Sequence, residues 1–183
     1  MTVNKNLKHI DIIKLLNKNT LNYLLYEEPA SKISIISQIM NNCDIPILYL
    51  DFDLLFSGYI NTGLIKTNHK VTIKTPTPYT WKDTLKSAMS YTSNKRSIIV
   101  LDSLNGLSSM LERNSTRIIY AHIMLLGLIA RHSKSTVIIP CMIKKKKKKE
   151  WTVAITGGKI INRENETKIH LKWSKKGTLI SLV

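Results

Sequence analysis

Apolar residues along the chain fall into short unbroken runs, each bounded by polar or breaker residues. Five of these runs predict buried strands: Leu21 to Tyr26, Ile45 to Asp51, Ser97 to Leu101, Ser135 to Ile139 and Trp151 to Ile155. Two later segments, Lys168 to Trp173 and Thr178 to Leu182, alternate around Lys175-Lys176-Gly177 and predict a terminal antiparallel hairpin. Helical spacing marks Ile33 to Asn42, Trp81 to Thr92 and Thr116 to His132, where Ile119, Ile123, Leu126 and Ala130 share one face. Continuous apolar strands alternating with helices predict an α/β fold, a mostly parallel sheet flanked by helices. Residues 1–20 form a separate helical segment with Ile10, Ile13 and Leu16 on one face. Residues 21–183 are then a single core domain.

Charge changes this picture most. The 183 residues carry 28 Lys and Arg against 12 Asp and Glu, a net +16. Without Lys144 to Lys149 the balance is still +10, so the basic bias is spread over the chain. Such a field gathers polyanions, nucleic acid above all. The alternative is compositional, since lysine outnumbers arginine 23 to five as an AT-rich genome would dictate. Cys43 and Cys141 both lie in or beside apolar runs and read as buried thiols of a reducing compartment. The five histidines are scattered without a second ligand, so no metal pattern is present. No secretory leader and no run of ~20 apolar residues is found, which predicts a cytoplasmic protein, or a nuclear one in a eukaryote, with no membrane association.

Four segments carry candidate chemistry. Tyr26-Glu27-Glu28-Pro29-Ala30-Ser31-Lys32-Ile33 joins a strand to a helix and bears a lysine at the turn. Ile98-Ile99-Val100-Leu101-Asp102-Ser103 and Ile47-Leu48-Tyr49-Leu50-Asp51-Phe52-Asp53 are apolar strands ending in acids. Val137 to Ile143 leads into Lys144 to Lys149, followed by Trp151 and by Thr156-Gly157-Gly158. Taken in chain order, the segments resemble the RecA/RadA recombinase core, including archaeal RadA paralogs, from about Leu21 to the C-terminus.

That resemblance implies a RecA-like sheet with a degenerate Walker A loop. An intact loop, G-x-x-x-x-G-K-[ST], wraps phosphates with backbone N–H groups and places a hydroxyl on Mg²⁺. Here Ser31 precedes Lys32, Ile33 follows it, no glycine is present, and Glu27 and Glu28 carry negative charge into the loop. Asp102 matches the Walker B acid, or else is a structural residue that caps the next segment. Asp53 falls near the glutamate that activates water in active relatives, one methylene shorter. Lys32, Asp53 and Asp102 thus read as a vestigial nucleotide site, with Lys32 a solvated or capping lysine, no ATPase activity and no cofactor.

By the same resemblance the lysine run stands at the second DNA-binding loop. Six adjacent lysines repel one another and resist burial. Each that meets a phosphate releases a counterion. Lys144, Lys145, Lys146, Lys147, Lys148 and Lys149, with Lys159 and Arg163, form the expected nucleic-acid surface. Trp151 is either a stacking platform for an unpaired base or a core residue opening a strand. The run could equally be a solvated loop or a nuclear-import signal. Lys168, Lys172, Lys175 and Lys176 extend the basic inventory. The expectation is a non-catalytic paralog that binds DNA, single-stranded by preference, and modulates an active RadA-type partner or associates with itself. The alternative is a structural subunit of an Elongator-like ring that binds tRNA.

Overall fold

A computed structural model describes residues 12–16, 21–110, 116–145, 151–153, 166–174 and 177–182. Eight strands and six helices are defined among these: α1 (Ile12–Leu15), β1 (Leu21–Tyr26), α2 (Pro29–Asn42), β2 (Ile47–Asp51), α3 (Leu55–Asn61), β3 (Val71–Lys74) and α4 (Trp81–Asn94), then β4 (Ile98–Asp102), α5 (Leu104–Ser109), α6 (Thr116–His132), β5 (Thr136–Lys145), β6 (Trp151–Val153), β7 (Glu166–Ser174) and β8 (Gly177–Leu182).

The described strands form one sheet in the order β3-β2-β4-β5-β1-β7-β8, with β6 paired to β5. All pairings among β3, β2, β4, β5, β1 and β7 are parallel. Every residue of β1, β2 and β4 is buried, as strands covered on both faces must be. Alternation along the strands splits the core. Leu24, Tyr26, Ile47, Tyr49, Ile98 and Val100 pack with α1, α2 and α3 on one face. Leu25, Leu48, Leu50, Ile99, Leu101 and Val137 pack with α4, α5 and α6 on the other. Each fully buried Leu or Ile contributes roughly 1.5–3 kcal/mol relative to exposure.

The terminal hairpin is present but only half antiparallel to the sheet. β8 runs antiparallel to β7, whereas β7 itself lies parallel to β1, Leu21 opposite Glu166. β5 is also longer than its apolar run predicts, continuing through Pro140 to Lys145. Proline is tolerated there because the ladder to β4 ends at Ile138, two residues earlier. Three elements lie outside the sequence expectation. β3 is a short edge strand with alternating burial, and α3 and α5 span only seven and six residues, too few to set up a helical period. In the N-terminal segment Ile12 and Leu16 are the buried pair, with Ile13 half-buried; Ile10 lies outside the described residues.

Candidate functional site

The parallel strands end on a common edge, where ligands of open α/β sheets bind. There α2 begins directly after β1, with Pro29 in its first turn and Glu28 at the N-cap. Ser31 N–H and Ser31 Oγ both donate to the Glu28 carbonyl, at 3.1 and 2.7 Å, closing the turn on itself. Lys32, one residue on, faces inward and is fully buried.

This corrects the expectation of a solvated or capping lysine. Lys32 Nζ lies 2.9 Å from both carboxylate oxygens of Asp102 at the end of β4, and 3.2 Å from Asp53 Oδ2 just after β2. It also stands 5.5 Å from the Tyr26 ring centroid. The cause is geometric. β2 and β4 are adjacent, so Asp51 and Asp102 share a register position and the α2 lysine meets the acids at their ends.

The carboxylates are themselves tied down. Tyr49 Oη donates to Asp102, Ser103 Oγ donates to Asp53 Oδ2 at 2.9 Å, and Leu55 N–H donates to Asp53 Oδ1 at 3.1 Å. Asp102 does not cap the following helix. Ser103 does, accepting from Gly106 N–H at 3.1 Å. Asp51 Oδ2 accepts from Ser57 N–H at 2.7 Å, while its buried Oδ1 has no hydrogen-bond partner among the described residues.

Burial works to strip Lys32 of its proton, but Asp102, Tyr26 and Asp53 together outweigh it and hold the ammonium above the ordinary lysine range. Burial pushes Asp102 up to about 6, against the pull of Lys32. Asp53 moves the other way: burial is outweighed by Lys32, the Leu55 N–H and the Ser103 hydroxyl, and its pKa falls. Lys32 and Asp53 are thus each held in the charged form by the other. Asp51, Asp53 and Asp102 each offer an oxygen within 4.8 Å of the others, a donor set suited to a hard cation. The ammonium already bridges two of the three.

Glu27, expected to project into the phosphate region, instead turns sideways to β7, where His170 Nε2 lies 3.2 Å from its Oε1. Asn105, in the first turn of α5, was not singled out from the sequence. Its Oδ1 accepts from Met142 N–H at 2.6 Å and its Nδ2 donates to the Met142 carbonyl at 3.4 Å, clamping β5 to α5. A lone Asn after Asp-Ser carries no pattern that would reveal this.

Past Met142, the last residue paired with β1, β5 continues as a two-stranded ribbon with β6. Lys145 stands opposite Trp151 and Lys144 opposite Thr152. The lysine run therefore opens as a strand, not as a loop, and Lys144 is exposed. Lys146, Lys147, Lys148, Lys149, Lys159 and Arg163 lie outside the described residues. Lys168, part of the basic inventory, is buried beside Glu166 at 3.2 Å and over the Tyr23 ring, which removes it from any surface footprint. Lys172 is exposed.

No known protein-family model matches the sequence, and no curated protein matches it. Among solved structures the fold is similar to that of the RadB recombinase. TM-score is 0.58 at 15% identity, over 87% of this chain and 77% of that one. The α/β sheet and its helices are thus RecA-like.

Proposed function

On this RecA-like frame, we propose that the chain is a non-hydrolysing nucleic-acid-binding protein, single-stranded DNA being its preferred ligand, that works beside an active recombinase. The observation that carries the reading is the basic ribbon. β5 and β6 extend beyond the strands that hold the charged cluster and begin the lysine run at Lys144 and Lys145. Lysine is a point charge without the planar fork of arginine, so such a ribbon favours phosphate contact over base readout.

The absence of hydrolysis rests on the residues at the head of α2. The Ser31 amide and hydroxyl are both spent on Glu28, Ile33 stands in place of a metal-binding hydroxyl, and Lys32 is engaged by Asp102 and Asp53. These residues do not fit a magnesium-bound triphosphate. A nucleotide would have to break a buried ion pair to reach the lysine. The recombinase partner is inferred from the kinship of fold with the RadB recombinase.

Fluorescence anisotropy with labelled single-stranded DNA, duplex DNA and tRNA across a salt series tests the binding. Single-stranded DNA is expected to bind tightest at low salt. Replacing Lys144 to Lys149 by Ala should flatten the slope of log Kobs against log salt by about 4, at roughly 0.7 per lysine–phosphate contact. An unchanged slope, or no binding at low salt, overturns the reading; preference for tRNA moves it to the ring-subunit alternative. ATP with Mg²⁺ is expected to leave the melting temperature unchanged, since a ligand at 100 Kd adds about 2.7 kcal/mol.

A further inference from the structure

Helix α6 is apolar on both sides. Ile119, Ile123, Leu126 and Ala130 face the core and are buried, and Gly127 brings the helix close enough that a Cβ there would meet the Leu21 side chain at 2.9 Å. The opposite face repeats the pattern in solvent. Ile118, Ala121, Leu125 and Leu128 follow one another at spacings of three, four and three, the seam of a helix-pairing surface. All four are exposed, Leu125 at 48% and Leu128 at 52%. The seam runs about 15 Å along the axis, at 1.5 Å per residue. A surface helix with one packed face ordinarily shows polar residues on the other. Apolar patches of this kind mark interaction sites.

Charge selects the occupant. Arg117 and Arg131 are exposed at the two ends of the seam, and α6 contains no Asp or Glu. A second copy of the helix would set arginine against arginine in either direction: Arg117 on Arg131 when antiparallel, like on like when parallel. Lys82 and Lys86 are exposed on α4, which packs alongside α6, and the one acid there, Asp83, lies 3.7 Å from Lys86. Like-charge juxtaposition disfavours such a pairing, and opposite charge favours it.

We infer that the outward face of α6 docks an amphipathic helix of another protein, one whose apolar stripe is bordered by Asp and Glu. This is helix-on-helix recognition, and its anchors are Ile118, Leu125 and Leu128. It is independent of the lysine ribbon and of the charged cluster.

Two synthetic 18-residue helical peptides test it. They share one leucine stripe at i, i+3, i+7 and i+10 and differ only in having Glu or Lys beside it. Anisotropy against the full chain is expected to show the Glu peptide bound at least ~tenfold tighter than the Lys peptide. The variant Leu125→Glu/Leu128→Glu, both at exposed positions, should keep the wild-type melting temperature and lose the Glu peptide. The variant Arg117→Glu/Arg131→Glu should reverse the preference. Light scattering should show a monomer throughout. Equal affinity for the two peptides, binding of neither, or binding that survives Leu125→Glu/Leu128→Glu because the lysine run carries it, each overturns the inference. So does a dimer that the same variant dissociates.

Discussion

The Lys32 ammonium is held by both carboxylate oxygens of Asp102, 2.9 Å from each, with neither side chain exposed. The pair links the first turn of α2 to the end of β4, two segments seventy residues apart. Removing one member of a buried pair strands the other, which typically costs 3–5 kcal/mol. Lys32→Met and Asp102→Asn are each expected to lower unfolding free energy by about that amount. The double variant should lose less than the sum of the two by more than about 1 kcal/mol. Urea unfolding of the four proteins measures this, and strict additivity would show that the two residues do not act as a pair.

Gly106 sits where α5 meets the backbone after β2. A Cβ built there would lie 2.9 Å from both Asp53 N and the Phe52 carbonyl carbon. Backbone cannot step aside as a side-chain tip can. Gly106→Ala should therefore destabilise by about 1–3 kcal/mol, overriding the gain of up to ~1 kcal/mol in helix propensity. A thermal melt decides between them, because a rise in melting temperature would mean that the loop yields freely.

Asn105 satisfies both backbone groups of Met142 at the base of the lysine ribbon. Asn105→Ala leaves a part-buried N–H without its acceptor, at a cost of about 1–3 kcal/mol. Hydrogen exchange should report faster exchange at the Met142 amide than at Ile138 or Ile139, which lie deeper in the sheet. Uniform acceleration along β5 would indicate global loosening and not release of a clamp.

Burial pushes the Cys141 thiol from its ordinary 9.0 up to about 12. The folded chain therefore keeps this proton where the unfolded chain gives it up. The resulting contribution to stability is full below pH 9 and is lost as pH climbs from 9 towards 12. The stability difference between wild type and Cys141→Ala should accordingly shrink between pH 8 and pH 10.5 in urea titrations. At pH 8 neither Cys141 nor Cys43, both buried, should react with a thiol reagent until denaturant is added. Prompt labelling in native buffer contradicts the burial.

The chain announces its sheet more clearly than its site. β1 and α6 begin and end where the apolar runs and the 119-123-126-130 spacing put them, because strands buried on both faces and a long packed helix leave unmistakable patterns. The direction of β7 is not legible in this way, since alternation says which face is buried and nothing about which neighbour a strand adopts. Lys32, Asp53 and Asp102 can be named from strand ends and from resemblance. Their ion pairing follows only from β2 and β4 being neighbours, which the residue order does not state. Tyr49 and Asn105 escape notice altogether. One looks like any strand aromatic and the other like any helix-start amide, until the fold gives each a partner.

The place of β1 in the sheet bears on how the chain comes off the ribosome. Leu21 to Tyr26 is synthesised long before both of its neighbours, β5 on one side and β7 on the other. One edge stays open until Met142 has emerged, and the second until Leu171 has. Until then a six-residue, largely apolar strand waits with unpaired backbone groups, the condition under which nascent chains associate wrongly. Closure then depends on contacts between segments more than a hundred residues apart, such as Asn22 and Val137 at a separation of 115, and long-range pairing of this kind slows folding. A chain released before Glu166 has the strand but not the partner that covers its far side.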